Sequence, residues 1–290
     1  MRVAVTGANG FLGSHLLAAL RRTMPEGDIT GVVRSDAVHR VPGVTYTDNL
    51  RPTDLLFHLA GSPGIAASLR DPRQDLDSNA DLTLAMLEAV RAGAASTIVL
   101  CSSCAVYGAV EGPAYEDQPL QPISPYGVSK LAAEKYTIVY HRLHGLDVRV
   151  ARISNPYGPG QRKLAIYDLA HRALEHGSPL RIRGDGAAVR DFIHAEDAAR
   201  GLVTIGLRGE PGGVYNVGSG HPVTVRTVAT HVAKAAGLPE DAIEVDGQVE
   251  VAKVSSFFPS VQRLADLGFQ ATRPLAEGIQ ETVDWLRNES

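Results

Sequence analysis

Seven residues near the start constrain this chain more than any others: Gly7-Ala8-Asn9-Gly10-Phe11-Leu12-Gly13, a G-x-x-G-x-x-G pattern. It follows Arg2–Thr6, an apolar run that reads as a buried strand. It opens Phe11–Arg22, which reads as a helix with Leu12, Leu16, Leu17 and Leu20 on one side. Strand, glycine turn and helix in that order begin a parallel α/β sheet. Gly7 permits the tight turn, Gly10 lets a pyrophosphate approach the backbone, and Gly13 lets the helix pack closely on the strand. The phosphates of a dinucleotide would then rest on open amides at the helix N-terminus, with Asn9, Phe11 and Leu12 beside them.

The next strand, Ile29–Val33, ends in Arg34-Ser35-Asp36. An acid at that strand end binds the ribose 2′-hydroxyl of NAD, whereas an arginine suits the 2′-phosphate of NADP. Val33 stands where the acid is expected and Arg34 follows, which favours NADP over NAD; the alternative has Arg34 solvated and Asp36 on the ribose. The third strand, Val44–Asp48, is followed within six residues by Asp54 of a fourth. A helical crossover needs about ten or more residues, so the helix between these strands must be missing or reduced. Asp48 and Asn49 could bond the adenine edge or simply form a turn. Leu59-Ala60-Gly61 closes the fourth strand with small residues that let a cofactor ribose come close.

Length and composition exclude several classes. A chain of 290 residues suffices for one large α/β domain or a nucleotide-binding domain with a smaller lobe. A net charge of −4 gives no reason to expect nucleic acid or an anionic membrane as partner. No apolar run is long enough to span a membrane, and the N-terminal segment falls short of a signal peptide. Two cysteines rule out a disulfide scaffold, so a soluble cytoplasmic protein is expected.

Those two cysteines form Cys101-Ser102-Ser103-Cys104. A redox C-x-x-C opens a helix, whereas Cys101 closes the buried strand Thr97–Cys101. Zinc would need a second pair of ligands that the sequence lacks, so no metal site is expected. Ser124-Pro125-Tyr126-Gly127-Val128-Ser129-Lys130 gives the serines a better use. Tyr126 and Lys130, four apart, lie one above the other on a helix running from Pro125 to His144 with Gly145 as its stop. At about 4 Å and an effective dielectric near 20, a unit charge is worth roughly 4 kcal/mol, enough to lower a phenol pKa by about three units. Tyr126 would then act as an acid/base with Ser103 holding the substrate oxygen. An amphipathic helix that merely contains Y-x-x-x-K is the bland alternative.

Together these residues resemble the extended short-chain dehydrogenase/reductase family, the nucleotide-sugar epimerases and dehydratases. The likeness runs through "TGANGFLG", "FHLAG", "SSCAVYG", "SPYGVSK", "RISNPYGPGQ", "GDGAAVRDFIHAEDAARGL" and "VYNVGSG". It implies a Rossmann doubly wound parallel sheet binding NAD(P), with a smaller α/β C-terminal lobe for a nucleoside-diphosphate sugar. It also implies Tyr126 as base, Lys130 on the nicotinamide ribose, Ser103 on the sugar oxygen, and Asn79, Ser102 and Ile153 beside the cofactor. Asn155 and Arg190 would meet the substrate's diphosphate and nucleotide end, with Gln161 and Arg162 nearby. For Arg190 the alternative is a salt bridge with Asp191 or Glu196; His58 and His194 read as structural.

Three departures shape the expected chemistry. The 4,6-dehydratase branch carries Asp-Glu directly after the active hydroxyl, where this chain has Cys104-Ala105, so that dehydration is disfavoured; the Cys104 thiol either packs, the favoured reading, or serves as acid or base. An Arg-bearing stretch near the C-terminus is absent; Phe258 stands where the family has Asp, leaving Lys253 as a replacement contact. The third is the Val33-Arg34 pair. The expected domains are residues 1–154 plus 191–207 and residues 155–190 plus 208–290. The expected activity is a 4-epimerase or 4-ketoreductase, with a Cys104-dependent dehydratase and a non-catalytic NADP-binding sensor as alternatives. By analogy with the family, the helices at 75–92 and 125–144 would pair in a homodimer.

Overall fold

A computed structural model describes residues 1–34, 40–62, 64–182, 184–239, 241–247 and 256–289. Seven parallel strands form the main sheet: β1 (Arg2–Thr6), β2 (Asp28–Val32), β3 (Thr45–Thr47), β4 (Thr53–His58), β5 (Ala95–Ser103), β6 (Asp147–Ile153) and β7 (Val214–Val217). Their order is β7-β6-β5-β4-β1-β2-β3. No helix lies between β3 and β4, as the short connection requires.

Strand alternation sends successive residues to opposite faces, and each face has its own core. Val3, Val5, Leu55, Phe57, Val99 and Ala151 pack beneath the helices Phe11–Thr23 and Ala195–Arg208, joined by Leu16, Leu20 and Leu202. Ala4, Leu56, Ile98 and Val148 pack on the other face against Leu87 and Val90 of the helix Leu82–Arg91. Leu87 and Val90 of this helix are turned into the core. The expected helix at 75–92 is also divided, into Pro72–Leu76, a widened π-helical turn Asp77–Asp81, and Leu82–Arg91.

Two of the expected domain boundaries need correction. β7 pairs with β6 from Val214 to Val217, so the main sheet extends past residue 207. Gly112–Ala114 leaves the first domain and joins a four-stranded sheet with Val189–Arg190, Val223–Thr224 and Ser256–Pro259. Phe258 lies in the last of these strands, whereas Lys253 falls outside the described residues. The smaller lobe has a core of its own, where Ile166, Leu169, Val228, Val232, Ile279 and Val283 pack three helices together. No helix among the described residues is long and apolar enough to cross a membrane.

Candidate active site

At the C-terminal edge of the sheet, Gly7 (φ 71°) turns the chain into the helix Phe11–Thr23. A Cβ on Gly7 would lie 2.7 Å from the Ala60 backbone nitrogen, and one on Gly13 would lie 2.2 Å from the Gly7 oxygen. Neither position accepts a side chain without moving backbone, so the loop sits tightly against Leu59-Ala60 at the end of β4. Gly10 caps the helix without any side-chain hydrogen bond, and its first turn carries no acid. Asn9 and Gly10 are exposed and Phe11 and Leu12 half-buried, an open helix N-terminus of the kind that takes phosphate.

Arg34 is exposed just beyond β2, and Asp36 lies outside the described residues. Asp48 and Asn49 follow β3, with Asn49 Nδ2 donating to Asp48 Oδ1 at 2.7 Å and Asn49 N donating to Thr47 Oγ1 at 3.2 Å. The pair forms a turn on the same sheet edge.

β5 delivers Ser103 to that edge. Its hydroxyl accepts from Ala105 N at 3.2 Å, capping the short turn Cys104–Val106, and lies near enough to the Tyr126 phenol to lower its pKa. Ser124 starts the helix Pro125–His144 by accepting from Gly127 N at 3.1 Å, and Gly145 ends it. That places Tyr126 and Lys130 one turn apart, facing the end of β5. Ile153 lies opposite Ser103 in the β5–β6 register.

The electrostatics differ from the sequence expectation. Lys130 Nζ donates to the Cys101 carbonyl at 3.1 Å and lies 6.0 Å from the Tyr126 ring centre. Burial, opposed by the Ser103 hydrogen bond, holds the Tyr126 phenol above its ordinary pKa. Desolvation, and not the field of Lys130, dominates the phenol. Burial likewise lowers the Lys130 pKa, while Cys101, Asp75 and Glu134 oppose that shift.

Cys104 takes the packing role rather than the acid/base alternative. It is 5 % exposed, its thiol donates to the Arg152 carbonyl at 3.4 Å, and burial raises its pKa well above the ordinary value. Val106, Tyr107 and Ala114 pack around it. Cys104→Ser should therefore keep kcat within about twofold, at a stability cost of order 1 kcal/mol measured by urea denaturation; a tenfold loss of kcat in folded protein would restore the thiol to the chemistry.

Ser102 also departs from its expected place at the cofactor. On the opposite side of β5 from Ser103, its hydroxyl donates to Glu134, which pairs with Arg152 through Nη2–Oε2 at 2.8 Å. Both charged side chains are 4 % exposed. Arg152 also donates to the Tyr107 hydroxyl at 2.9 Å and the Glu116 carbonyl at 3.0 Å, and Tyr107 donates to Asn216 Oδ1 at 2.7 Å. This network was missed from sequence, although a charged residue inside the apolar run of β6 was a signal.

Asn155 lines a cavity of about 190 Å³ with Lys163, Tyr167 and Phe192, which sequence reasoning also missed. Its Nδ2 donates to the Asp191 carbonyl at 2.7 Å. Gln161 is half-buried in the loop before this cavity, donating its backbone N–H to the Gly158 carbonyl at 3.1 Å. Arg162 is drawn away from a phosphate role: its guanidinium pairs with Glu289 and lies 5.4 Å from the Trp285 ring centre. Arg190 donates to the Val189 carbonyl at 2.7 Å and pairs with neither expected acid. Asp191 accepts from Ser219 and Gly220, and Glu196 pairs with Arg273. His58 bonds Thr6 Oγ1 through Nδ1 at 2.8 Å, with its pKa pushed down to about 3 by burial. Burial brings His194, which caps the helix Ala195–Arg208, to about 4.

Residues 3–218 match the NAD dependent epimerase/dehydratase family. The chain belongs to that family. It is 32 % identical to a dTDP-glucose 4,6-dehydratase of Streptomyces antibioticus, over 99 % of this chain and 93 % of the relative. It is 30 % identical to a UDP-glucose 4-epimerase of Mycolicibacterium smegmatis, with both chains fully covered. MoeE5 in complex with UDP-glucuronic acid and NAD superposes with a TM-score of 0.88 at 31 % identity, again over all of both chains. The open glycine loop, the Ser103–Tyr126 pair and Lys130 fit the dinucleotide of an epimerase/dehydratase-family enzyme. A further sign is the buried, unpartnered Asn79 Oδ1 beside them.

Proposed function

We propose that the protein oxidises and reduces a hydroxyl-bearing carbon of a nucleoside-diphosphate sugar, with Tyr126 as acid/base. The observation that carries this reading is the convergence of Ser103, Tyr126 and Lys130 beside the glycine loop. Bound nicotinamide would supply the hydride acceptor and donor. Gly7, Gly10 and Gly13 would seat its pyrophosphate, and Lys130 and Asn79 would face its ribose. Ser103 holds the sugar hydroxyl in line with Tyr126, which takes the hydroxyl proton as the carbon is oxidised and returns it on reduction. Asn155 and Arg190 would hold the diphosphate and nucleotide end, next to the cavity that Lys163 and Tyr167 line.

Neutral Ala105 and a buried Cys104 follow Ser103, with no carboxylate to remove water from the sugar. This supports a 4-epimerase or 4-ketoreductase over a 4,6-dehydratase. Incubation with UDP- and dTDP-linked hexoses, and with their 4-keto forms plus NADPH, read by NMR, tests it: inversion at carbon 4 of the hexoses or reduction of the 4-keto forms is expected. Loss of the carbon 6 hydroxyl would move the protein to the dehydratases, and no reaction with either series would end the reading.

Arg34 favours NADP, whereas MoeE5 is described with NAD. Arg34→Ala should weaken NADP binding at least about fivefold and leave NAD within twofold, measured by calorimetry; equal effects on both would remove Arg34 from the choice. Dimerisation belongs to the same reading. Val128, Tyr136, Val139 and Leu143 are exposed on the helix Pro125–His144, and Ile65, Leu69 and Leu76 are exposed on the neighbouring short helices.

A further inference from the structure

Beneath the helix that carries Tyr126 lies a buried carboxylate with no cation bonded to it. Asp75, in the helix Pro72–Leu76, is 1 % exposed. Its Oδ2 accepts from Ser129 Oγ at 2.5 Å and its Oδ1 from Asn79 Nδ2 at 3.1 Å. Asn79 Nδ2 also donates to Ser129 Oγ at 3.0 Å.

Asn79 donates to both Asp75 and Ser129, and the Ser129 hydroxyl donates to Asp75, with the Tyr126 carbonyl at 3.0 Å as a second acceptor. Both amide protons of Asn79 are thereby used, and its Oδ1 must face the other way. That oxygen is buried without a partner. It lies 2.6 Å from where a Cβ on Gly61 would be, and Lys130 Nζ lies 3.5 Å from the same point. The amide oxygen and the ammonium therefore border one small space at the end of β4.

We propose that Asp75 is a positioning residue: it locks the Asn79 carbonyl toward Lys130 and supplies the negative charge that the buried ammonium lacks in direct contact. The other charged or titratable groups facing Lys130 do not fill that role. Tyr126 and Glu134 stand on its own helix, and Glu134 is already bonded to Arg152. Cys101 on β5 presents its carbonyl and a thiol whose pKa burial raises, and His58 on β4 is held neutral by burial. Asp75 has only the neutral Ser129 and Asn79 side chains bonded to its carboxyl, with no other cation engaging it among the described residues. The role rests on the proposed chemistry for its purpose but not for its detection.

The chain has five lysines, at 130, 135, 163, 234 and 253, so carbon-13 labelling of lysine side chains gives a spectrum in which Lys130 can be assigned by substitution and titrated without any ligand. In Asp75→Asn, which keeps shape and loses charge, Lys130 should titrate about one pH unit lower than in the native protein. Ser129→Ala keeps the charge and should leave the Lys130 titration within about 0.3 units. Asp75→Ser, smaller and still polar, is the second charge-removing variant should the first not fold. With substrate, Asp75→Asn should lower kcat about tenfold with KM within about twofold, and should shift the pH–rate profile down with the Lys130 titration. An unchanged Lys130 titration in folded Asp75→Asn or Asp75→Ser, or the same shift in Ser129→Ala, overturns the proposal. Because the titration needs no turnover, a protein inactive on nucleotide sugars would sink the proposed chemistry without touching this assignment.

Discussion

Tyr126→Phe should lower kcat about a thousandfold while KM for the nucleotide sugar changes less than about threefold. The phenol stands beside Ser103 at the end of β5, and the neighbouring Lys130 and Cys104 are engaged elsewhere. Lys130 reaches the Cys101 carbonyl instead, and Cys104 is turned into the core. The nucleotide end would be held elsewhere, at Asn155 and Arg190, so binding should survive the loss of one hydroxyl. The ring remains, so the melting temperature should move by no more than about 3 °C. Steady-state kinetics alone decide the matter: a kcat within tenfold of the native value would remove Tyr126 from the chemistry. Burial holds the phenol above its ordinary pKa, so the positive charge of a bound, oxidised nicotinamide would have to lower it before the phenol can accept the sugar proton.

The second large effect concerns stability. Arg152→Met should destabilise the protein by about 3–5 kcal/mol, a fall of roughly 5–10 °C in melting temperature. The substitution leaves Glu134, itself buried, facing Ser102 without its cation, and also removes donors from Tyr107 and the Glu116 carbonyl. Glu134→Leu should cost a similar amount for the mirror-image reason. The double variant Arg152→Met/Glu134→Leu should be more stable than either single one, because the penalty comes from an unpaired buried charge and not from the pair. Denaturant unfolding of all four proteins tests this. Additive losses, or a single-variant cost below about 1 kcal/mol, would show that the charges find water or other partners.

What was legible in the sequence was local. Gly7, Gly10 and Gly13 declare a turn and a close approach within seven residues, and Tyr126 and Lys130 declare a shared helix face through their spacing alone. The short link from Thr47 to Thr53 declared the missing helix because chain length bounds what can be folded into it. What stayed hidden was pairing at a distance. Asp75 meets Ser129 across 54 positions and Arg152 meets Glu134 across 18, and no periodicity predicts which charges the sheet brings together. The return of Val214–Val217 to the main sheet was hidden for the same reason, since a four-residue strand carries no sign of its neighbour. The field of Lys130 at Tyr126 was overestimated because i and i+4 spacing gives the direction of a long side chain but not the carbonyl that captures its tip.

The central claim is that hydride leaves a sugar carbon while Tyr126 takes the hydroxyl proton. A nucleotide hexose deuterated at carbon 4 tests it most directly: the reaction is quenched during turnover and the nicotinamide is recovered and weighed by mass spectrometry. Deuterium in the nicotinamide of the native protein, and none with Tyr126→Phe, is the predicted result. Product formed from the labelled sugar with no deuterium ever entering the nicotinamide would contradict it.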